Sequence, residues 1–362
     1  MCNNRYALDG KIHDAQRLSE LQKLPLDNKI LITQARLIEW YKYWNGQCYV
    51  GLSGGKDSSV CADIAAQVCE LFGYKLVLWF ADTGLEYPEV RRNVDDIYNY
   101  LKQKYNIEIE LVKDYPKDRK GNRITFRQVL DKYGYPLISK DVSNTIAGAR
   151  RSIAKGEDSY RLRKLKGTLK QKNGQPSKFT CAKWSFLLDA PFAISSSCCD
   201  IMKKRPAHKF ENERQLVSIV ATMANESYLR LSTWFKFGCN AFNEASPQSR
   251  PMSFWTENDV LEYIKLNDIP LASVYGEILK DGNGGYYTSG VSRTGCMFCL
   301  YGIQYEKEPN RFQQMKLTHP KLYDYCIREC DKGGLGIGRV LDFINIPYEK
   351  DDMEIKRTIY KE

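Results

Sequence analysis

The sequence predicts an α/β protein, a parallel sheet with helices on both faces, and three observations carry that reading. Short apolar runs at Gln47–Leu52, Lys75–Ala81 and Ile107–Val112 have the length and composition of strands. The segments between them carry apolar residues at helical spacing. The links joining them are only a few residues long. Strand–helix–strand–helix–strand with short links demands parallel pairing, because each crossover must pass through a helix lying on the sheet.

The elements follow in order. Residues 1–28 are polar and mixed, an arm or a short helix. Leu31–Trp44 is an amphipathic helix stopped near Gly46. After the first strand, Ser58–Phe72 places Val60, Ile64, Val68 and Leu71 on one face and ends at Gly73. Lys75–Ala81 is a continuous apolar run, as a buried strand requires. Pro88 opens a helix with Val90, Val94, Ile97 and Leu101 on one face. Leu216–Thr222 is a further strand of the sheet. Ligands in such sheets lie at the carboxyl ends of strands, where the Ser53 loop and Asp82 both fall. Beyond Pro251 the chain reads as mostly helical, with a glycine-rich loop, Asp281–Gly290, leading into Cys296. The division expected is an arm at 1–28, a main α/β domain at 29–250 and a helical region at 251–362.

Between Arg150 and Lys178 ten Lys/Arg face only Glu157 and Asp158, a formal charge of about +8. Gly167, Gly174 and Pro176 make this stretch an exposed insertion or arm. Over all 362 residues the net charge is +10, which favours polyanionic partners such as nucleotides and nucleic acid. No apolar run reaches membrane-spanning length and the first residues lack a signal-peptide core, so a cytoplasmic address is expected and no membrane partner. Twelve cysteines in a reducing compartment do not suggest a disulfide framework. Three histidines, His13, His208 and His319, argue against histidine-based hydrolysis.

Ser53-Gly54-Gly55-Lys56-Asp57-Ser58 is the strongest chemical signal. Two glycines let the backbone turn so that several N–H groups point at one anion. The following helix adds its positive end, Lys56 a full charge, and Ser53 and Ser58 hydroxyl donors. A Walker A loop is excluded by spacing: three residues separate Gly51 from Gly55, and Asp57 follows Lys56 where Ser or Thr belongs. Asp82-Thr83-Gly84 ends the next strand and suits Mg²⁺ or ribose, although the tripeptide alone is more often a simple turn.

Cys198-Cys199 and Cys296-x-x-Cys299 have ligand-like spacing. An adjacent pair makes a poor zinc half-site, and four thiolates on two segments could instead hold an iron–sulfur cluster, with zinc or plain buried cysteines as alternatives. Cys48, Cys61 and Cys69 read as core. Cys326 and Cys330 share a helix face without an assigned role, and Cys2, Cys181 and Cys239 are isolated.

Over roughly residues 45–305 the chain resembles the phosphoadenosine-phosphosulfate reductase family within the PP-loop (N-type) ATP pyrophosphatases, an adenine nucleotide α-hydrolase-like fold. The matching pieces are Ser53–Ser58, Asp82-Thr83-Gly84 with Pro88-Glu89, and Cys198-Cys199-x-x-x-Lys203-x-x-Pro206. Glu226-Ser227-x-x-Arg230, Trp255-Thr256-x-x-Asp259-Val260 with Ile269-Pro270, and Gly295-Cys296-x-x-Cys299 follow in order. The resemblance implies ATP with Mg²⁺, pyrophosphate on the loop and attack at the α-phosphate. It implies catalytic roles for Lys56, Asp57 and Lys203. It further implies a nucleotide held by Ser53–Ser58, Asp82, Thr83, Gly84 and Arg230. Cys198, Cys199, Cys296 and Cys299 match the family's [4Fe–4S] ligands, and Lys203 would lie beside cluster and nucleotide. Two departures point away from the reductases. The loop is whole where theirs is degenerate, and no Glu-Cys-Gly-x-His segment is present. Ala221-Thr222-Met223 also replaces a usual Gly-x-Arg. The resemblance is therefore nearer the iron–sulfur sulfurtransferases of DNA phosphorothioation and tRNA thiolation. That implies a DNA or tRNA substrate guided by 150–178 and a sulfur-donor protein such as a cysteine desulfurase. Rival expectations are a sulfonucleotide reductase or sulfate-adenylating enzyme, and an inactive PP-loop protein that binds nucleic acid.

Overall fold

The computed structural model describes residues 13–243, 245–351, 353 and 355. Residues 1–12 of the arm expected at 1–28 lie outside them, Cys2 among them. The described part of it holds a helix, Ala15–Gln22, capped by the Asp14 side chain.

The chain forms two compact units that interleave along the sequence. Of the described residues, the first comprises those within 13–82, 86–115 and 206–294, and the second those within 83–85, 116–205 and 295–355. The units therefore cut across the chain-order division at residue 250, because 206–294 returns to complete the sheet of the first unit.

The first unit is built on a six-stranded sheet in the order Ile109–Asp114, Leu76–Ala81, Cys48–Gly51, Val217–Ile219, Gln248–Ser249, Asn240–Ala241. All neighbours are parallel except the last pair. Val50 is opposite Leu78 on one side and Ile219 on the other, so the first strand is central. Alternation along the strands divides the side chains between two faces. Val50, Leu76, Leu78, Phe80 and Ile219 pack into the large core with the helices Leu26–Tyr43, Lys56–Phe72, Pro88–Lys104 and Glu257–Leu266. Tyr49, Val77 and Trp79 meet Phe210 of the helix Arg205–Arg214 on the other face. Helices cover both faces, as the sequence predicts.

Several boundaries were legible. Gly73 adopts φ +69° and stops the helix Lys56–Phe72, and Pro88 begins the next. The first long helix starts at Leu26 rather than Leu31, because Lys29 is buried on it by an ion pair with Asp259 at 2.6 Å. Leu216–Thr222 narrows to three strand residues, and two strands of two residues each were not foreseen. The glycine-rich loop is largely a hairpin, Ile278–Lys280 against Tyr286–Thr288, turned by Asp281 accepting the Asn283 and Gly285 amides.

The second unit is mainly helical, with a short parallel pair, Leu137–Ile138 and Leu300–Tyr301. The basic stretch at 150–178 is partly built into it, which corrects the expectation of an exposed arm. Arg150 donates to the carbonyls of Leu187, Leu188, Ala190 and Phe192, and burial lowers its pKa. Leu162, Lys164 and Leu165 are buried on the helix Tyr160–Lys166, where Lys164 pairs with Asp141 at 2.7 Å. Residues 153–158 run exposed, as does the segment from Gly167 to Lys178 apart from half-buried Leu169 and Ser177. Among the described residues no helix is long and apolar enough to cross a membrane.

Candidate active site

The strand order reverses between Cys48–Gly51 and Val217–Ile219, since the chain runs outward to one edge and then returns to the other side of the first strand. A crevice at such a switch point is where α/β sheets bind ligands. The Ser53–Ser58 loop leaves the first of these strands. Gly54 adopts φ +76°, and a Cβ there would lie 2.3 Å from the Val90 carbonyl oxygen, so only glycine fits. Asn93 Nδ2 donates to the Gly54 carbonyl at 3.0 Å and ties the turn to the next helix. Gly55 is the N-cap of Lys56–Phe72. Ser58 Oγ accepts from the Ser53 amide at 3.1 Å and donates to the Gly55 carbonyl at 2.9 Å, which closes the loop on itself.

Lys56 is only 3% exposed. Its Nζ lies 2.9 Å from Glu257 Oε1, donates to the Ser292 carbonyl and sits 5.3 Å from the Tyr275 ring centroid. Asp57 is half-buried beside it, and its buried Oδ1 has no hydrogen-bond partner among the described residues. Burial raises the Asp57 pKa; the Lys56, Arg293 and Arg230 cations pull it down and Glu257 pushes it up. A cavity of about 190 Å³ opens here, lined by Lys56, Asp57, Met223, Asn225, Glu226, Trp255, Thr256, Glu257 and Arg293. That volume suits a phosphate chain and is below the usual ~300–1,000 Å³ of a complete small-molecule site.

Two of the remaining matched motifs, Glu226-Ser227-x-x-Arg230 and Trp255-Thr256-x-x-Asp259, supply residues to this cavity. Glu226 takes the Met223 amide at 2.8 Å and ion pairs from Arg230 and Arg293. Burial and Arg293 lower the pKa of Arg230. Thr256 and Asp259 form a capping box at the start of Glu257–Leu266, and Trp255 Nε1 donates to Thr33 at 2.8 Å. Locked in this way, the helix start carries Glu257 to Lys56. Arg293 and Glu257 were not foreseen. Glu257 follows the matched Trp255-Thr256, but Arg293 had no signal beyond lying near Cys296.

Asp82 is engaged by Arg91 at 2.7 Å in the first unit. Thr83 and Gly84 belong to the second unit, where the Thr83 hydroxyl accepts the Leu85 amide and Gly84 has φ +74°.

Cys198, Cys199, Cys296 and Cys299 all lie in the second unit, and none of the four is in a disulfide. Burial pushes the Cys198 pKa far up, and Cys296, Cys199 and Cys299 add to the rise, so the four sulfurs are near neighbours. Lys203 opposes that rise at Cys198 and at Cys299. It sits on a π-helical turn, Asp200–Lys204, an irregularity frequent at functional sites. Among the described residues no group of three His, Cys, Asp or Glu closes to metal-holding geometry. Four soft sulfur donors suit iron–sulfur or zinc by their chemistry. Cys326 is buried, and Cys330 lies 3.5 Å from the Tyr135 hydroxyl.

Comparison with known proteins places this geometry in a family. An uncharacterized protein of Methanocaldococcus jannaschii is 24% identical over 314 residues, covering 87% of this chain and 55% of the relative. The chain thus spans about half the length of that curated relative. Solved structures give distant likenesses. NMN synthetase from Francisella tularensis has a TM-score of 0.35 at 13% identity, covering 89% of this chain and 94% of that one. NAD+ synthetase from Burkholderia pseudomallei has 0.34 at 15%, covering 70% and 74%. The U34-tRNA thiolase NcsA from Methanococcus maripaludis, solved with its [4Fe-4S] cluster, has 0.22 at 16%, covering 59% and 83%. The phosphoadenosine phosphosulfate reductase domain matches residues 47–300, well over half of the sequence and inclusive of the loop and all four cysteines. The chain belongs to the phosphoadenosine phosphosulfate reductase domain family.

Proposed function

We propose that the chain is an ATP-dependent adenylating enzyme that forms AMP and pyrophosphate, in the service of sulfur transfer to nucleic acid. The observation that carries this reading is the Asp57 carboxylate, its buried Oδ1 unpartnered among the described residues, set among Lys56 and Arg293 at a helix N-terminus on the switch point of the sheet. Cations and loop amides suit phosphate oxygens, and an unmet carboxylate oxygen suits Mg²⁺. An acceptor oxygen attacks the α-phosphorus, the bond to the bridging oxygen breaks, and pyrophosphate departs onto the loop. Lys56 and Arg293 stabilise the charge that develops, and positioning does most of the remaining work. Glu257 must release Lys56 as phosphate takes its place. A sulfur nucleophile then displaces AMP from the activated acceptor.

Cys198, Cys199, Cys296 and Cys299 would hold a [4Fe–4S] cluster, which supplies iron for binding a sulfur atom. Lys203 offsets the charge of those thiolates. Turnover measured as pyrophosphate release from ATP, with DNA, tRNA or sulfate added in turn, tests the reading. Stimulation by sulfate alone would favour the small-anion rival, and no release under any condition would favour an inactive binding protein.

A further inference from the structure

A second cavity, of about 400 Å³, lies within the second unit between the helices Lys140–Ala154 and Tyr160–Lys166. Its walls are unusual for a helix–helix seam. The first helix presents Asp141, Asn144, Thr145, Gly148 and Ser152, a polar stripe at i, i+3, i+4, i+7 and i+11. Helices that pack directly bury an apolar stripe instead. The polar stripe faces Ser159, Tyr160, Arg161 and Lys164 across the cavity. Lys164 is only 9% exposed, and Asp141 holds its ammonium at 2.7 and 2.9 Å. Ser152 Oγ is fixed between the Gly148 carbonyl and Ser159 Oγ.

Arg161 lies across Gly148, where a Cβ would meet its Cδ at 2.1 Å and its Nε and Nη1 at 3.0 Å. Glycine at 148 therefore makes room for the guanidinium on the cavity wall. Among the described residues Arg161 has no ion pair or hydrogen bond, whereas Lys164 is neutralised by Asp141. The cavity presents an unspent guanidinium with hydroxyls around it and a half-exposed tyrosine ring at its edge. Guanidinium forks and hydroxyls are the donors that phosphate oxygens select, and an aromatic ring stacks on a base.

We propose that this cavity binds one nucleotide of a nucleic-acid strand, with a backbone phosphate on Arg161 and the base against Tyr160. It rests on the proposed nucleic-acid substrate and gives that substrate a docking point. The strand is favoured over a free nucleotide because exposed Arg151, Lys155, Arg163 and Lys166 flank the cavity on the same two helices and their link. These cations extend the favourable field for a polyanion.

The test is equilibrium binding of a fluorescent 20-mer single strand and of tRNA to the full chain at low salt, with no ATP present. Arg161→Gln removes the unspent charge, and Asn144→Asp adds a carboxylate to the wall; both positions are exposed, and thermal melts check folding. Each should weaken binding by about tenfold, the worth of a charge-assisted contact. Lys172→Gln, an equal charge change away from the cavity, should weaken it no more than about twofold. Equal losses for all three variants would reduce the effect to net charge and overturn the proposal. Wild-type affinity in both cavity variants would overturn it as well. Binding of AMP or inorganic phosphate that Arg161→Gln abolishes, with no oligonucleotide bound, would assign the cavity to a free small phosphate and overturn the strand. Because no ATP is used, strand binding through the cavity can hold even if pyrophosphate release fails, so the two ideas fall separately.

Discussion

Replacing Asp57 with Asn should stabilise the ligand-free protein while removing its activity. One carboxylate oxygen, Oδ1, is buried without a partner among the described residues. An unmet buried acceptor costs about 1–3 kcal/mol. Against that, Asp57 is the second residue of the helix Lys56–Phe72, where the positive helix end favours a negative charge by ~0.3–1 kcal/mol. Burial is the largest influence on its pKa and outweighs Lys56, Arg293 and Arg230, so folding disfavours the charged form relative to the unfolded chain. The net gain expected for Asp57→Asn is about 1 kcal/mol, or ~2–4 °C in melting temperature for a unit of this size. The pH dependence has a definite sign. A carboxyl whose folded pKa is raised contributes stability below its ordinary value, near 3.9, and loses that contribution as pH rises through the raised value. The variant's advantage should therefore open as pH climbs above the ordinary carboxylate range and be absent below it. With Mg²⁺ and ATP present the order should reverse: wild type gains thermal stability and the variant does not. Calorimetry with and without Mg–ATP reads both effects. A variant less stable than wild type at neutral pH, or one with a full Mg–ATP shift and turnover, would refute the reasoning.

Four further outcomes follow from the same geometry. Lys56→Ala should cut pyrophosphate release by about 10²–10³-fold, the scale for one donor aimed at developing charge, while melting within a few degrees of wild type. Gly54→Ala should abolish Mg–ATP binding in a thermal-shift assay, because φ +76° and the Val90 carbonyl at 2.3 Å leave no room for a methyl. Asp259→Ala should cost ~3–5 kcal/mol in urea unfolding, since it strands the buried Lys29 charge and opens the Thr256 capping box. Protein isolated without oxygen should be brown, and Ser at Cys198, Cys199, Cys296 or Cys299 should bleach it; Cys61→Ser should not, because Cys61 is fully buried with its pKa pushed up to about 12.

The core of the fold was legible because its signals are local. Gly73 can adopt a left-handed stop, Pro88 can only begin a helix, and Leu76–Ala81 is too apolar to lie anywhere but inside. What escaped depends on distant partners. Lys29 reads as a surface lysine until Asp259, 230 residues away, takes its charge, and so the helix start was set too late. Lys164 reads as part of a solvated cationic arm until Asp141 holds it at a buried position. Gln248–Ser249 and Asn240–Ala241 are too short to show a period of two, although they complete the sheet. At the site, the loop is contiguous and its chemistry could be read residue by residue. Arg293 and Glu257 reach it only through folding, one from the segment before Cys296 and the other from a capped helix start. The interleaving of the two units has no local signature at all, since it consists of the chain leaving the sheet after Tyr115 and returning at Pro206.

The most direct test of the account is the fate of ATP labelled separately in its α and γ phosphates, incubated with the anaerobically prepared full chain, Mg²⁺ and tRNA or DNA. The loop, with Asp57 rather than Ser or Thr after Lys56, predicts label recovered as AMP and pyrophosphate in equal amounts, and about 10²–10³-fold less from Lys56→Ala. Recovery of ADP and inorganic phosphate would contradict it.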